Sequence, residues 1–443
     1  MRCGRQHQDA AHRRILSQSR RTRCDVLLLI LNFRYARPFL SDDSFEFVFE
    51  RKPNRAEPSW SESRKRQGAR GGIDPGKTAA KRLLAPNQMK RESDWCRDIG
   101  SLYESPGGRR PEPPLGPSAN ADVRLTNLEA AVADRDVSVT PWPGASRTDP
   151  EVLDCLKEMG LNLLSLSNNH ALDLGEAGLR ATIEEVDRRG FAHAGTGSNL
   201  AAATAPGFLD TLAGRIALIG MASGAGQLTP DTWATAGRSG VNFLELRADG
   251  TLNPGHTGPI LQAVRDAARQ ASGVIVYQPN HYWGEARGSG MPPGRVKSVD
   301  RFDTPQWQVE WAHQLIDAGA TIYVGHGDTA LHAVEIHKGR PILYGLGNFI
   351  FESSNPLDTY GPLTFMSAVA HVEFIGGGLT ALSFQPIVLS LNDAGSAPRG
   401  TPYLAEGGEA QAILTRLADL SRRYGTEIRI EGETGSVVMG KGR

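Results

Sequence analysis

From about Asp122 onward, apolar residues gather into short runs that alternate with helical stripes. Leu161, Leu163, Leu164 and Leu166 read as a buried strand, whereas Leu179, Ile183 and Val186 recur at helical spacing before Gly190. Val274, Ile275, Val276 and Tyr277 form a β-branched and aromatic run, as do Thr321, Ile322, Tyr323 and Val324, and residues 216–219 form another. Helical spacing also links Ile260, Leu261, Val264 and Ala268, then Trp307, Trp311 and Leu315, whose Trp stripe reads as core packing. Val152, Leu153, Leu156 and Met159 mark a helix opened by Pro150 and capped by Asp149, with Cys155 as a small core residue. Near the end, Ala412, Ile413, Leu417 and Leu420 share one helical face, followed by a strand at 427–430. Alternation of this kind predicts α/β layering around one continuous core, with the C-terminal helix packed on it.

Polar residues cluster where the apolar runs stop. After the Leu161–Leu166 run come Asn168, Asn169, His170 and Asp173. Tyr277 is followed by Asn280, His281 and Glu285, and Val324 by His326, Asp328 and His332. Residues 122–129 alternate like a strand and finish on Glu129. Each loop alone has a plain reading, since Asn and Asp cap helices and single histidines are commonly hydrogen-bonded residues. Together they place imidazole, amide and carboxylate groups outside the carboxyl ends of strands, where open α/β sheets collect ligands. Mixed oxygen and imidazole donors suit divalent cations, and a bridging carboxylate can hold two of them at the separation used for hydrolysis.

The strings TNLEAAV, LSNNHALDLG, HYWGEA, VGHG and GRPILYGLGNFIFE, in that order, resemble the CapA family of capsule-synthesis and poly-γ-glutamate biosynthesis proteins. That family is similar to the calcineurin-like metallophosphatases. The resemblance implies a four-layer α/β/β/α sandwich of the metallo-dependent phosphatase type, with two packed mixed sheets and helices on both outer faces. It also implies that Glu129, Asn169, His281 and His326 ligate metal and that His170 assists catalysis at the phosphoryl oxygens or leaving group. Asp173 and Glu285 resemble partners that orient the ligands, since a carboxylate on the free ring N–H of a histidine fixes its tautomer. The cofactors implied are one or two divalent ions, Mn, Fe, Zn or Mg.

Two departures stand out. Family members begin with a strand ending in Gly-Asp, which supplies the first metal-binding aspartate. Here Asp25 has suitable apolar residues after it but a basic stretch, residues 13–23, before it. Many members also carry a second histidine two or three residues after the Gly-His motif, a region held here by Asp328, with His332 further on. Asp25, Asp328 and His332 are therefore additional candidates.

Charge divides the chain as the pattern does. Residues 1–120 carry 24 Lys and Arg against 14 Asp and Glu, and the remainder 25 against 35, so the net charge of zero conceals a basic segment and an acidic domain. Residues 1–120 read as a basic segment, largely disordered or belonging to a misassigned start, and 121–443 as the CapA-like domain. Basic clusters attract polyanions without a fold, yet nothing predicts specific nucleic-acid binding. The apolar run at 26–33 is short for a transmembrane helix of roughly 20 residues, and no secretory core stands near the start. A cytoplasmic chain is the expectation, although family members are often exported or membrane-attached. The four cysteines, Cys3, Cys24, Cys96 and Cys155, show no zinc spacing.

Two functions follow. One is a metal-dependent, phosphoesterase-like hydrolase of capsule or poly-γ-glutamate biosynthesis, acting on a phosphoester or on an isopeptide-like bond in the polymer. The other is a non-catalytic assembly or export factor that binds an anionic polymer, working with capsule-synthesis machinery.

Overall fold

The structure is a computed structural model that describes residues 23–28, 31–32, 121–141, 145, 147–224, 227–282, 303–351, 361–390, 400 and 402–439. All of these belong to one compact unit. In chain order the first elements are β1 (Arg23–Leu28), β2 (Leu31–Asn32), β3 (Val123–Asn127), α1 (Glu151–Glu158), β4 (Leu163–Ser165) and α2 (Gly175–Arg188). Next come β5 (Ala192–Ala194), β6 (Thr196–Gly197), α3 (Leu200–Thr204), β7 (Gly207–Thr211), β8 (Gly214–Gly220) and β9 (Gly240–Val241). The middle contains α4 (Pro254–Gln270), β10 (Gly273–Pro279), α5 (Gln306–Ala318), β11 (Ile322–His326), β12 (Val334–His337), β13 (Arg340–Leu343) and β14 (Ile350–Phe351). The chain closes with β15 (Met366–Ile375), β16 (Gly378–Leu389), β17 (Pro402–Leu404), α6 (Gly407–Arg422), β18 (Ile428–Glu431) and β19 (Thr434–Val437).

Among the described residues these strands build two large mixed sheets. One has the order β18-β19-β16-β15-β1-β3-β4-β5, with β17 on β16; the other has the order β12-β13-β11-β10-β8-β7. The centres are parallel, β1-β3-β4-β5 in the first sheet and β8-β10-β11-β13 in the second. Period-two alternation then sorts the side chains. Val26, Leu28, Val123 and Leu125 of the first sheet share one buried cluster with Ile216, Leu218, Ile275 and Val324 of the second. The intervening Ala217, Ile219, Val274, Val276 and Tyr323 join Ile260 and Val264 of α4 and Trp307, Trp311 and Leu315 of α5. Leu164 and Leu166 pack with Val152, Leu153 and Leu156 of α1 and Val186 of α2. Each such Leu, Ile or Val contributes about 1.5–3 kcal/mol by leaving water, so the alternation itself sets which face each strand turns inward.

The sheet begins far upstream of the expected domain start at 121. β1 lies between β15 and β3, antiparallel to the first and parallel to the second. Cys24, Val26 and Leu28 are buried there, so an apolar alternation inside the basic segment outweighs its flanking charge.

Other readings need adjustment too. Cys155 is half-buried and disulfide-bonded rather than a core thiol. Pro150, not Asp149, occupies the cap of α1, and the Asp149 carboxylate lies 3.4 Å from Arg135. The C-terminal helix, by contrast, packs on the core as expected: Ile413, Leu414 and Leu417 of α6 enter the cluster shared by both sheets. Its Ser421 hydroxyl accepts the Val334 amide at 3.0 Å, tying α6 to β12. No helix among the described residues is long and apolar enough to cross a membrane.

Candidate functional site

The parallel strands of the two sheets deliver their polar loops to a common cluster. β3 runs out two residues before Glu129, β4 leads into Asn168, Asn169 and His170, β10 into Asn280 and His281, and β11 ends on His326. Buried polar groups at strand ends must find partners or persist at a cost of roughly 1–3 kcal/mol each. Asn168 meets that requirement by lacing two loops together. Its Nδ2 donates to Leu128 O at 2.8 Å and to Asn127 Oδ1 at 3.2 Å, while its Oδ1 accepts the His170 amide at 3.0 Å. Asn127 Nδ2 in turn donates to Glu129 Oε2 at 3.0 Å, so an amide chain fixes the buried carboxylate.

Glu129 stands between two imidazoles. His170 Nε2 lies 4.0 Å from its Oε1 and His326 Nδ1 lies 3.8 Å from its Oε2, although the three residues are far apart in sequence. His170 Nδ1 is 2.8 Å from Asp173 Oδ2. The carboxylate accepts from Nδ1–H, which leaves Nε2 as the ring's working atom. His170 Nε2 is buried without a hydrogen-bond partner, as is Asn169 Oδ1. Asn169 Nδ2 donates to Gln227 Oε1 at 3.0 Å, with the Asn169 oxygen on the opposite side of the amide.

On the other sheet Asn280 is the tie. Its backbone N–H donates to His326 O at 2.6 Å, its Oδ1 accepts from Ser223 Oγ and the Tyr282 amide, each at 3.0 Å, and its Nδ2 donates to Gln308 Oε1 at 3.0 Å. Gly327 permits this closeness: at φ +115°, a Cβ there would sit 2.1 Å from Asn280 O. Burial pushes the His326 pKa down to about 3, with further lowering from nearby His281 and His332 against an opposing hydrogen bond with Asn348. A neutral imidazole is the form that ligates metal. Asp328 and His332 form their own pair, Oδ2 to Nε2 at 3.2 Å, beside His326. Tyr277 also faces the cluster. Burial, and then the Glu129 charge, raises its phenol well above the usual range.

Of the expected residues, Glu129, His170 and His326 converge directly, Asp173 holds His170, and His281 and His332 flank His326. Asn169 shares the loop of His170. Asp25 lies elsewhere: its amide donates to Asp122 Oδ2 at 3.0 Å and its carboxylate pairs with Arg23 at 2.9 Å. The pairing of Val26 with Val123 sets Asp25 level with the entry of β3, seven residues before Glu129. It sits at the amino end of its strand, so it cannot serve a cluster built at the carboxyl ends. Glu285 falls outside the described residues. The sequence reading passed over Gln227, Tyr277, Asn348 and the structural role of Asn168. Of these only Asn168 carried a signal, its place in the Asn-Asn-His string.

The Glu129 carboxylate, the Asn169 amide oxygen and the imidazoles of His170, His281 and His326 are oxygen and nitrogen donor types that divalent cations accept. Independent comparisons point the same way as the motif order. The family described as Bacterial capsule synthesis protein PGA_cap matches residues 115–353, a span that contains the whole cluster. A Sinorhizobium fredii protein named only as uncharacterized, y4sH, is 30% identical, covering 72% of this chain and 86% of its own length. A probable polyglutamine synthesis accessory protein of Mycobacterium tuberculosis is 24% identical over 81% of this chain and 91% of that one. The PGA biosynthesis protein CapA of Bacillus subtilis is 26% identical over 46% of this chain and 47% of that one. With more than half of its length matched, and with the loops that carry Glu129, His170 and His326 inside the match, this chain belongs to the bacterial capsule synthesis family that includes CapA.

Proposed function

We propose that this CapA-family protein is a metal-dependent hydrolase of phosphoesterase type, acting in the synthesis or processing of an anionic capsule polymer such as poly-γ-glutamate. The observation that carries the reading is the carboxylate of Glu129 held between His170 and His326, beside two buried polar atoms, His170 Nε2 and Asn169 Oδ1, that no hydrogen bond satisfies. Both are imidazole-nitrogen and amide-oxygen atoms of the kind a divalent cation accepts. The two sheets and their helix-covered faces correspond in this reading to a four-layer α/β/β/α metallophosphatase sandwich.

Glu129, Asn169, His281 and His326 would hold one or two divalent ions, with Asp328 and His332 orienting the His326 side. Such an ion supplies Lewis-acid polarisation of the scissile phosphoryl or amide oxygen. The protein's own contribution is positional and protonic. Asp173 keeps the proton of His170 on Nδ1, so Nε2 is free to take a proton from an attacking water or, once protonated, to give one to the leaving group. Gln227 turns the Asn169 oxygen away from itself and fixes it as a ligand. The buried setting excludes bulk water and strengthens each of these interactions.

Elemental analysis of the purified chain tests the assignment. Divalent metal is expected, with Asn169→Ala and His326→Ala each lowering its content while the circular dichroism spectrum stays native. Full occupancy in both variants would remove the ligand assignment. A folded chain that stays metal-free on addition of Mn2+ or Zn2+ would favour the polymer-binding factor instead.

A further inference from the structure

On the outer side of the second sheet, away from the loops at the strand ends, α5 and the edge strand β12 bring together His313, Glu335 and His337. One ligand atom from each of these residues lies within 4.8 Å of the other two. Glu335 and His337 are two residues apart on a strand and so share a face, the one that α5 covers with His313. His313 Nε2 is 2.8 Å from Glu335 Oε1, and the imidazoles of His313 and His337 stack with centroids 3.8 Å apart and planes within 9°. The other carboxylate oxygen is already fixed, accepting the Tyr344 hydroxyl at 2.6 Å. His337 Nε2 is buried with no hydrogen-bond partner; its nearest acid is Asp317, at 3.8 Å.

We infer that His313, Glu335 and His337 form a second cation site, which takes a divalent transition metal of the Zn2+ class as a clamp between α5 and β12. Two imidazoles and one carboxylate are donors that Zn2+ accepts at three of four tetrahedral positions, and the half-exposed histidines leave the fourth open to water. The Tyr344 hydroxyl on the second carboxylate oxygen is the kind of outer partner that holds a ligand in orientation. Binding replaces the hydrogen bond between His313 and Glu335: the proton on Nε2 goes to solvent and the ion takes its place, opening the stacked rings around it. The segment from His326 through Asp328 and His332 runs directly into β12, so an ion here anchors the far end of that segment. Nothing in this inference depends on the proposed hydrolase chemistry.

The test is Zn2+ titration of the chelator-stripped full chain by calorimetry, alongside thermal unfolding with and without Zn2+. His337→Gln and Glu335→Gln, tested separately, are expected to lose one binding event or to weaken it by roughly tenfold or more. They are also expected to lose part of the Zn2+-induced rise in Tm. Identical stoichiometry, affinity and Tm shift in wild type and both variants would overturn the site, as would the absence of any Zn2+ binding outside the cluster of Asn169 and His326. Circular dichroism of the stripped variants separates loss of the site from loss of the fold.

Discussion

At the carboxyl ends of β3, β4, β10 and β11 the chain buries an acid, imidazoles and amides; at the amino ends of β1, β8, β10 and β11 lies an open pocket of about 460 Å3 lined by residues such as Cys24, Val26, Ile216, Ile275 and Phe374. The contrast is sharpest in the ionisable groups. At the carboxyl end, burial keeps His326 neutral, while Asp173 holds His170 at 2.8 Å. At the amino end, burial and then the charges of Asp122 and Asp25 push the Cys24 thiol up to about 12, which makes it unreactive. Burial acts at both ends, but at the carboxyl ends it gathers a carboxylate, imidazoles and amides around one another. Loops leaving the parallel strands carry the polar residues, and the amino ends are left to packing.

Three experiments would break or sharpen that contrast. The largest expected effect is on turnover: His170→Ala should retain metal but lower phosphodiester or poly-γ-glutamate hydrolysis by roughly 10²- to 10⁴-fold, the usual worth of a positioned acid–base group. Unchanged turnover would remove His170 from the reaction and leave the carboxyl end without its proposed catalytic group.

The second effect is on stability in metal-free protein. His326 has a folded pKa near 3 against 6.5 for the free side chain, so the unfolded chain binds a proton that the folded chain refuses. Its contribution is therefore fully present above pH 6.5 and is lost as pH falls toward 3, by up to about 5 kcal/mol at ~1.4 kcal/mol per pH unit. Urea unfolding across that window should show a shallower pH slope for His326→Asn than for wild type. Equal slopes would mean that the buried end does not hold this imidazole neutral.

The smallest effect belongs to the amino end. Cys24→Ala should cost about 1 kcal/mol or less and leave metal content and turnover unchanged. A severalfold loss of either would show that the two ends are coupled rather than separate.

How legible each part was in the sequence follows from the same physics. β10 and β11 were readable because both faces of a central parallel strand are buried, which produces unbroken runs such as Val274 to Tyr277. The long hairpin of β15 and β16 was not, since Ser367, His371 and Glu373 interrupt its apolar positions and no tight-turn signature beyond its glycines announces it. In the site, Glu129, His170 and His326 each follow an apolar run and could be found. Gln227 lies in a loop with no periodic pattern, 58 residues from the Asn169 it orients, so only the folded chain reveals its role. The Glu335–His337 alternation is visible on a strand, but its partner His313 comes from a helix whose stripe reads as packing.

The position of β1 has a consequence for the order in which the molecule can form. Its two neighbours, β3 and β15, begin about 100 and 340 residues later, so a nascent chain must hold residues 23–28 in waiting until nearly the whole polypeptide has emerged. Contacts of such sequence separation slow folding, because a very large loop must close before the pairing is rewarded. The apparent boundary at residue 121 is thus a poor place to shorten the protein: a chain beginning there would leave β3 and β15 as two bare edges in the middle of the sheet, an invitation to self-association.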